Sequence, residues 1–244
     1  MNNLSTSNIL VTGAGSGLGA AIATRLVTSG ARVGLLDLHA DKAERVARTI
    51  DPDGHATLAL ACDVTQAPQV AKALGTLKER WGGLDALINN AGTDVTASID
   101  AVDSGVWTRV IETNLIGPFL LSKAALPLLR ASDSGRGGHI VNVASTASLR
   151  AWPNASAYHA SKWGLLGMGK ALHAELRSQG VRVTSLIAGG MRTPFLLDRF
   201  PDIDTSTLQD PANVAEAVQF VLAMPRGTVI AELLVLPDGE TSWP

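Results

Sequence analysis

The sequence predicts an α/β fold: a doubly wound parallel sheet of seven strands with helices on both faces. Three observations predict it. Short apolar runs alternate with longer amphipathic stretches from end to end. The short runs are apolar on both faces, as strands are when crossover helices cover a sheet from both sides. The first of them leads at once into a glycine-rich turn that opens a helix.

Taken in order, Ile9-Leu10-Val11 is the first strand, and a helix is expected over 18–28. Val33-Gly34-Leu35-Leu36 precedes a charged helix over 41–50, and Thr57 to Ala61 precedes a helix over 70–81. Leu84 to Ile88 leads into a long helical region over 105–131. His139 to Val143 precedes a helix over 157–178. Val181 to Ile187 opens into the longest stretch without strand pattern, 193–210, which is followed by a helix over 212–223 and a last strand over 233–236. Strands joined by helical crossovers pair in parallel. Gly135-Arg136-Gly137-Gly138 reads as a turn before a strand. No linker or internal repeat divides the chain, so residues 1–244 are expected to form one domain. Segment 193–210 would follow the carboxyl end of a strand, where ligands bind in such sheets, and is a candidate substrate lid.

Composition excludes several classes. With 46% hydrophobic and 17% charged residues the chain can bury a large core and is not a disordered one. A net charge of −2 without a basic run argues against nucleic acid as partner. The single Cys62 rules out an intramolecular disulfide framework and reads as a small buried apolar residue. No apolar run approaches the ~18 residues that span a bilayer. Met1 to Ser7 are polar and lack a signal-peptide apolar region, so a cytoplasmic protein is expected. His159 and His173 belong to no metal-ligand pattern, and no metal site is expected.

One constellation suggests proton transfer. Tyr158 and Lys162 stand four apart, and Ser145 lies at the end of an apolar strand. Residues i and i+4 share a helix face. A cation there favours phenolate and so draws the phenol toward a working pKa, while a serine hydroxyl opposite could hold a substrate oxygen. Tyr158 is the 1 tyrosine in the chain. The competing reading is a snorkelling lysine beside a half-buried tyrosine.

A second constellation suggests a dinucleotide. Thr12-Gly13-Ala14-Gly15-Ser16-Gly17-Leu18-Gly19 joins the first strand to the first helix. Glycines there let the backbone approach a pyrophosphate, and the helix N-terminus offers free N–H donors; a merely flexible turn is the alternative. The second strand ends at Asp37, where a carboxylate can accept both ribose hydroxyls of NAD and repel the 2′-phosphate of NADP, or simply cap a helix. No Arg or Lys occupies the glycine-rich turn or follows Asp37 directly, so NAD is expected over NADP. Asp63 ends the third strand, placed for an adenine amino group or for a helix cap. Asn89-Asn90-Ala91-Gly92 ends the fourth, where small residues admit a ribose and the amides can tie strands together.

Together these pieces resemble the single-domain short-chain dehydrogenase/reductase family, which has a Rossmann fold. The match comprises Thr12-Gly13-x-x-x-Gly17-x-Gly19, Asp63, Asn89 to Gly92, Asn114, Ser145 and Tyr158-x-x-x-Lys162, in the family's order over most of the chain. The resemblance implies hydride transfer between NAD(H) and a secondary alcohol or ketone, with Tyr158 as general acid/base. Lys162 would lower the phenol's pKa and bind the nicotinamide ribose, and Ser145 would hold the substrate oxygen. Asn114 would bind a water through its main chain at a helix kink. Gly13, Ser16, Gly17, Leu18, Gly19, Asp37, Asp63, Val64, Asn90, Ala91, Gly92, Met191 and Thr193 would contact the cofactor, Thr193 at the carboxamide. A homodimer or homotetramer would form through the helices beginning near Gly105 and Ala157. Two places depart from the pattern: Ala188 stands where the family usually has proline, and Pro237-Asp238-Gly239-Glu240 where it has Val-Asp-Gly-Gly.

An NADP-dependent carbonyl reductase and a non-catalytic dinucleotide-binding regulator are the alternatives. Trp152 and Trp163 flank Tyr158 and are candidates for lining the pocket or for core packing. Leu196, Leu197 and Phe200 suggest a partly apolar substrate.

Overall fold

The computed structural model describes residues 4–132 and 137–240. Met1 to Asn3 of the polar start, and Gly135 and Arg136 of the expected turn, lie outside the described residues. The strands are β1 (Asn8–Thr12), β2 (Arg32–Asp37), β3 (Thr57–Ala61), β4 (Ala86–Asn89), β5 (His139–Ser145), β6 (Arg182–Ala188) and β7 (Glu232–Val235). The helices are α1 (Gly17–Thr28), α2 (Ala40–Ile50), α3 (Ala67–Trp81), α4 (Ser104–Ile111), α5 (Gly117–Arg130), α6 (Ser156–Leu176), α7 (Pro194–Leu197) and α8 (Pro211–Leu222).

All seven strands run parallel in the order β3-β2-β1-β4-β5-β6-β7, the Rossmann-like arrangement. Side-chain alternation explains why the strands read as apolar throughout. Ile9, Val11, Val33 and Leu35 join α1, α2 and α8 in one core, whereas Leu10, Leu36 and Leu87 join α3, α5 and α6 in the other. Strand order reverses between β1 and β4, which opens a crevice at their carboxyl ends.

One expected element changes. The helical region over 105–131 is broken by a π-helical segment, Glu112–Ile116, between α4 and α5. Such a segment shifts the helical register without requiring a particular residue. Gly117 follows it and packs against β-branched Val64, whose Cγ2 would lie 2.7 Å from a Cβ added there. At the C-terminal edge β6 continues through Ala188, which pairs with Ser145 on one side and Val235 on the other. Alanine in place of proline thus leaves the strand with its ladder intact up to the loop.

Candidate active site

A cleft of about 740 Å³ lies along the carboxyl ends of the strands, a volume suited to a cofactor and small substrate. Each cofactor-contact residue expected from the sequence, from Gly13 to Thr193, lines it. Gly13 and Gly17 have φ of +64° and +51°, the left-handed region that glycine enters without strain. At Gly19 a Cβ would run into the Gly13 carbonyl and lie 2.7 Å from Asn90 Nδ2, so this glycine serves close helix–strand packing. Ser16, the residue before α1, makes no side-chain cap bond, and with Gly17 to Gly19 it lines the cleft where the helix's first N–H groups lack intrahelical partners.

Asp37 accepts hydrogen bonds from Gly15 N at 2.9 Å and His39 N at 3.0 Å. Each carboxylate oxygen keeps lone-pair capacity for a hydroxyl. A lysine that is not adjacent in sequence also comes near, although it does not line the cleft. Lys42, in the first turn of α2, packs its Cβ 2.6 Å from where a Cβ on Gly15 would lie, beside Asp37. Asp63 holds its own turn, accepting from Thr65 N at 2.9 Å and Thr65 Oγ1 at 2.8 Å. Cys62 is buried, and burial followed by the charge of Asp63 pushes its thiol up to about 11, so it is not a nucleophile at neutral pH.

Asn90 ties β4 to β1: its Nδ2 donates to Thr12 O at 2.8 Å. The hub of that junction is Thr12. Its buried Oγ1 accepts from Asn90 N at 3.0 Å and Ala91 N at 2.9 Å, and donates to Ile88 O at 3.3 Å.

The other end of the cleft gathers Ser145, Tyr158 and Lys162. Ser145 ends β5 and Tyr158 and Lys162 share one face of α6. The Ser145 hydroxyl acts on the Tyr158 phenol as a hydrogen-bonding group that favours its ionised form. Lys162 Nζ donates to Val143 O at 2.8 Å and lies 5.6 Å from the Tyr158 ring centre. Burial dominates both groups. It pushes the phenol up to about 12, against the Ser145 hydrogen bond, with Asp94 adding to the rise and Arg199 opposing it. It brings the lysine down to about 8, with Asp94 opposing. The phenol therefore moves opposite to the depression expected from Lys162, because desolvation outweighs the favourable contacts here.

Asn114 lies in the π segment, fully buried behind Gly92 rather than on the cleft wall. Its side chain pairs with both backbone groups of Thr93, at 2.8 Å each, and donates to Ser161 Oγ at 3.0 Å. Ser161 in turn donates to Tyr158 O at 2.8 Å, so a three-residue bridge spans the loop after β4, the π segment and α6.

The walls around Tyr158 come from loops and from the short helix α7. Trp152, Phe195, Leu196, Arg199 and Phe200 line the cleft, whereas Leu197 does not. Trp163 is also absent from it and is 52% exposed. Five residues around a helix from Tyr158 is about 140° away, which turns it off the site. His159, which belongs to no metal-ligand pattern in the sequence, holds the loop. Its Nε2 accepts from Trp152 N at 3.1 Å and its Nδ1 pairs with Ala147 O at 3.0 Å. Asp94 and Arg199 form an ion pair 105 positions apart in sequence at this end of the cleft. Among the described residues no group of three or more His, Cys, Asp or Glu is arranged to hold a metal, and no helix is long and apolar enough to cross a membrane.

Comparison with known proteins agrees with the geometry. The profile described as short chain dehydrogenase matches residues 7–204. The chain is 32% identical over 242 residues to trans-4-hydroxycyclohexanecarboxylate dehydrogenase of Sinomonas cyclohexanicum, covering 96% of this chain and 92% of that one. Among solved structures, a metagenomic short-chain oxidoreductase in complex with NADP superposes with a TM-score of 0.82 at 32% identity, covering 97% of this chain and 99% of that one. A 3-ketoacyl-(acyl-carrier-protein) reductase from Brucella melitensis complexed with NADH gives 0.85 at 31% identity, with coverage of 97% and 99%. A crevice at the strand-order reversal, a glycine-rich turn at one end of it and Ser145, Tyr158 and Lys162 at the other thus sit in a chain that belongs to the short-chain dehydrogenase/reductase family, dinucleotide-binding oxidoreductases acting on alcohols.

Proposed function

We propose that this protein interconverts a secondary alcohol and its ketone with NAD(H), Tyr158 exchanging the hydroxyl proton. The observation that carries the reading is the convergence of Ser145, Tyr158 and Lys162 at the end of a cleft whose other end is the glycine turn. The residues of that turn, with the N-terminus of α1 and Asp37, fit the pyrophosphate and ribose of a dinucleotide. When bound, the nicotinamide supplies the hydride acceptor or donor and, in its oxidised form, a positive charge.

The chain's own groups then divide the work. Ser145 holds the substrate oxygen against the phenol. Tyr158, a phenol protonated at neutral pH and held so more firmly by burial, is a donor for ketone reduction, and any cation brought beside it shifts it toward the base needed for oxidation. Lys162 supplies one such charge and binds ribose. Asn114 and Ser161 fix the π segment against α6, where a water-borne proton path from Lys162 would begin. The apolar lining of Trp152, Phe195 and Leu196 suits a partly apolar substrate, and the alcohol of the Sinomonas relative is one member of the panel to test.

Expected result: Tyr158→Phe keeps NAD affinity and loses about 10²- to 10⁴-fold in turnover on the responding alcohol. Near-normal turnover would overturn the assignment and leave a non-catalytic binding protein as the reading. A second cofactor reading has one observation in its favour, Lys42 beside Asp37 and Gly15. Calorimetric titration with NAD and NADP discriminates, and Asp37→Ser is expected to raise NADP affinity relative to NAD. The exposed apolar residues Val106, Ile116, Phe119 and Trp163 on α4, the π segment, α5 and α6 support self-association through these helices, which light scattering on the intact chain tests.

A further inference from the structure

We propose that Asp94 and Arg199 are a positioning pair for this site: their ion pair fastens segment 194–200 across the substrate end of the cleft and seats Phe195 against the Tyr158 ring. The proposal rests on the reading of Tyr158 as the proton-transfer group for its bearing on turnover. The seating itself is open to test without turnover.

The two residues come from opposite sides of the cleft. Asp94 lies in the loop after β4, and Arg199 follows α7 in the candidate lid. Their side chains are 9% and 23% exposed. A carboxylate so nearly dry requires a partner, since an isolated buried charge is strongly unfavourable. Asp94 Oδ1 accepts from Val95 N at 2.7 Å, which fixes the side chain to its own loop and leaves Oδ2 for the Arg199 guanidinium.

Arg199 passes that anchor to the aromatic residue four positions earlier. Its Nη2 donates to Phe195 O at 2.6 Å, and its guanidinium carbon lies 4.2 Å from the Phe195 ring centre. The Phe195 ring centre is 5.9 Å from that of Tyr158. Carboxylate, guanidinium, phenyl and phenol are thus joined by consecutive contacts. The base of the segment is held separately. Thr193 rests on Gly17, where a Cβ would meet it at 3.3 Å, and Met191 pairs with Gln209. Residues 194–200 therefore hang from a fixed base and are secured at the far end by the Asp94 contact. Swinging them away exposes the phenol and strands a carboxylate in a half-dry wall.

The pair also bears on the phenol electrostatically, and the two partners act with opposite sign: Asp94 favours the protonated form and Arg199 opposes it. That sign difference separates positioning from general structural damage. Because Tyr158 is the 1 tyrosine in 244 residues, its ionisation is directly visible as tyrosinate absorbance in the intact protein without substrate or cofactor.

Asp94→Asn, Arg199→Gln and Arg199→Lys test the proposal in the full chain. Hydrogen exchange is expected to accelerate by at least about tenfold at the Leu197, Asp198 and Phe200 amides in the Asn and Gln variants, with β1 and β4 amides unchanged. Arg199→Lys, which keeps the charge but not the forked donors, is expected to lie between them and the parent. At one fixed alkaline pH, the tyrosinate fraction is expected to rise in Asp94→Asn and fall in Arg199→Gln. Unchanged exchange in both neutral variants overturns the proposal, and so does movement of the tyrosinate fraction in the same direction in both. If Tyr158→Phe retains turnover while exchange and titration behave as expected, the fastening stands and the catalytic reading falls.

Discussion

Thr12→Val removes one oxygen and nearly preserves shape, and its effect can be worked from the geometry. The Thr12 hydroxyl accepts two backbone N–H bonds, from Asn90 and Ala91, in a site where Thr12 is 1% exposed. Valine leaves the Ala91 N–H facing a methyl group, while the Asn90 N–H keeps its 3.1 Å contact with Ile88 O. An orphaned buried donor costs about 1–3 kcal/mol. For a chain of this length that lowers the melting temperature by roughly 2–12 °C. The loop from Asn90 to Gly92 forms part of the cleft wall, so NAD affinity should weaken as well. Thr12→Ser keeps the oxygen and should stay within about 1 kcal/mol of the parent. Thermal unfolding of the three proteins, with NAD titration by calorimetry, reads both quantities. A valine variant within about 0.5 kcal/mol of the parent would refute the role assigned to the hydroxyl.

Gly19→Ala should be worse tolerated than substitution at Gly75, because its Cβ meets the Gly13 carbonyl and Asn90, whereas nothing lies within 4 Å of one at Gly75. The expected cost is about 1–3 kcal/mol or more, visible as lowered thermal stability and weakened NAD binding. His139 should make the protein acid-sensitive. It is buried, its Nε2 contacts Thr184 Oγ1 at 2.8 Å, and burial, followed by the charge of Arg182, holds its pKa well below the ordinary value. Above about pH 6.5 neither state binds the proton. As pH falls below that, the unfolded chain takes it up and the folded one refuses it, so stability drops by up to about 1.4 kcal/mol per pH unit. The melting temperature of His139→Gln should therefore fall less steeply between pH 6.5 and 5.5 than the parent's, and parallel curves would exclude this residue as the cause.

Much of this was legible in the chain because it is encoded locally. Doubly apolar strands and the run from Thr12 to Gly19 depend on neighbouring residues, and they foretold the sheet and the crevice. The π segment was not legible, since a register shift can be adopted by an ordinary helical sequence such as Glu112 to Ile116. Lys42 escaped notice because a helix turn, not adjacency, carries it back to Gly15. Trp163 could have been excluded from the pocket by helical angle alone. The phenol's upward shift follows from burial, which spacing between Tyr158 and Lys162 does not report. Asp94 and Arg199 meet only because the fold sets the carboxyl ends of β4 and β6 on either side of β5, along one edge of the sheet.

The strands end where the loops lining the far end of the cleft begin, and that division separates the sheet from stretches that can be changed without breaking it. Residues in 93–97, 150–154 and 194–200 reach that end without contributing a rung to the seven-strand ladder. Grafting alternative sequences onto these stretches, with Thr93, Asp94, Phe195 and Arg199 kept, offers a route to new alcohol preferences on an unaltered chassis.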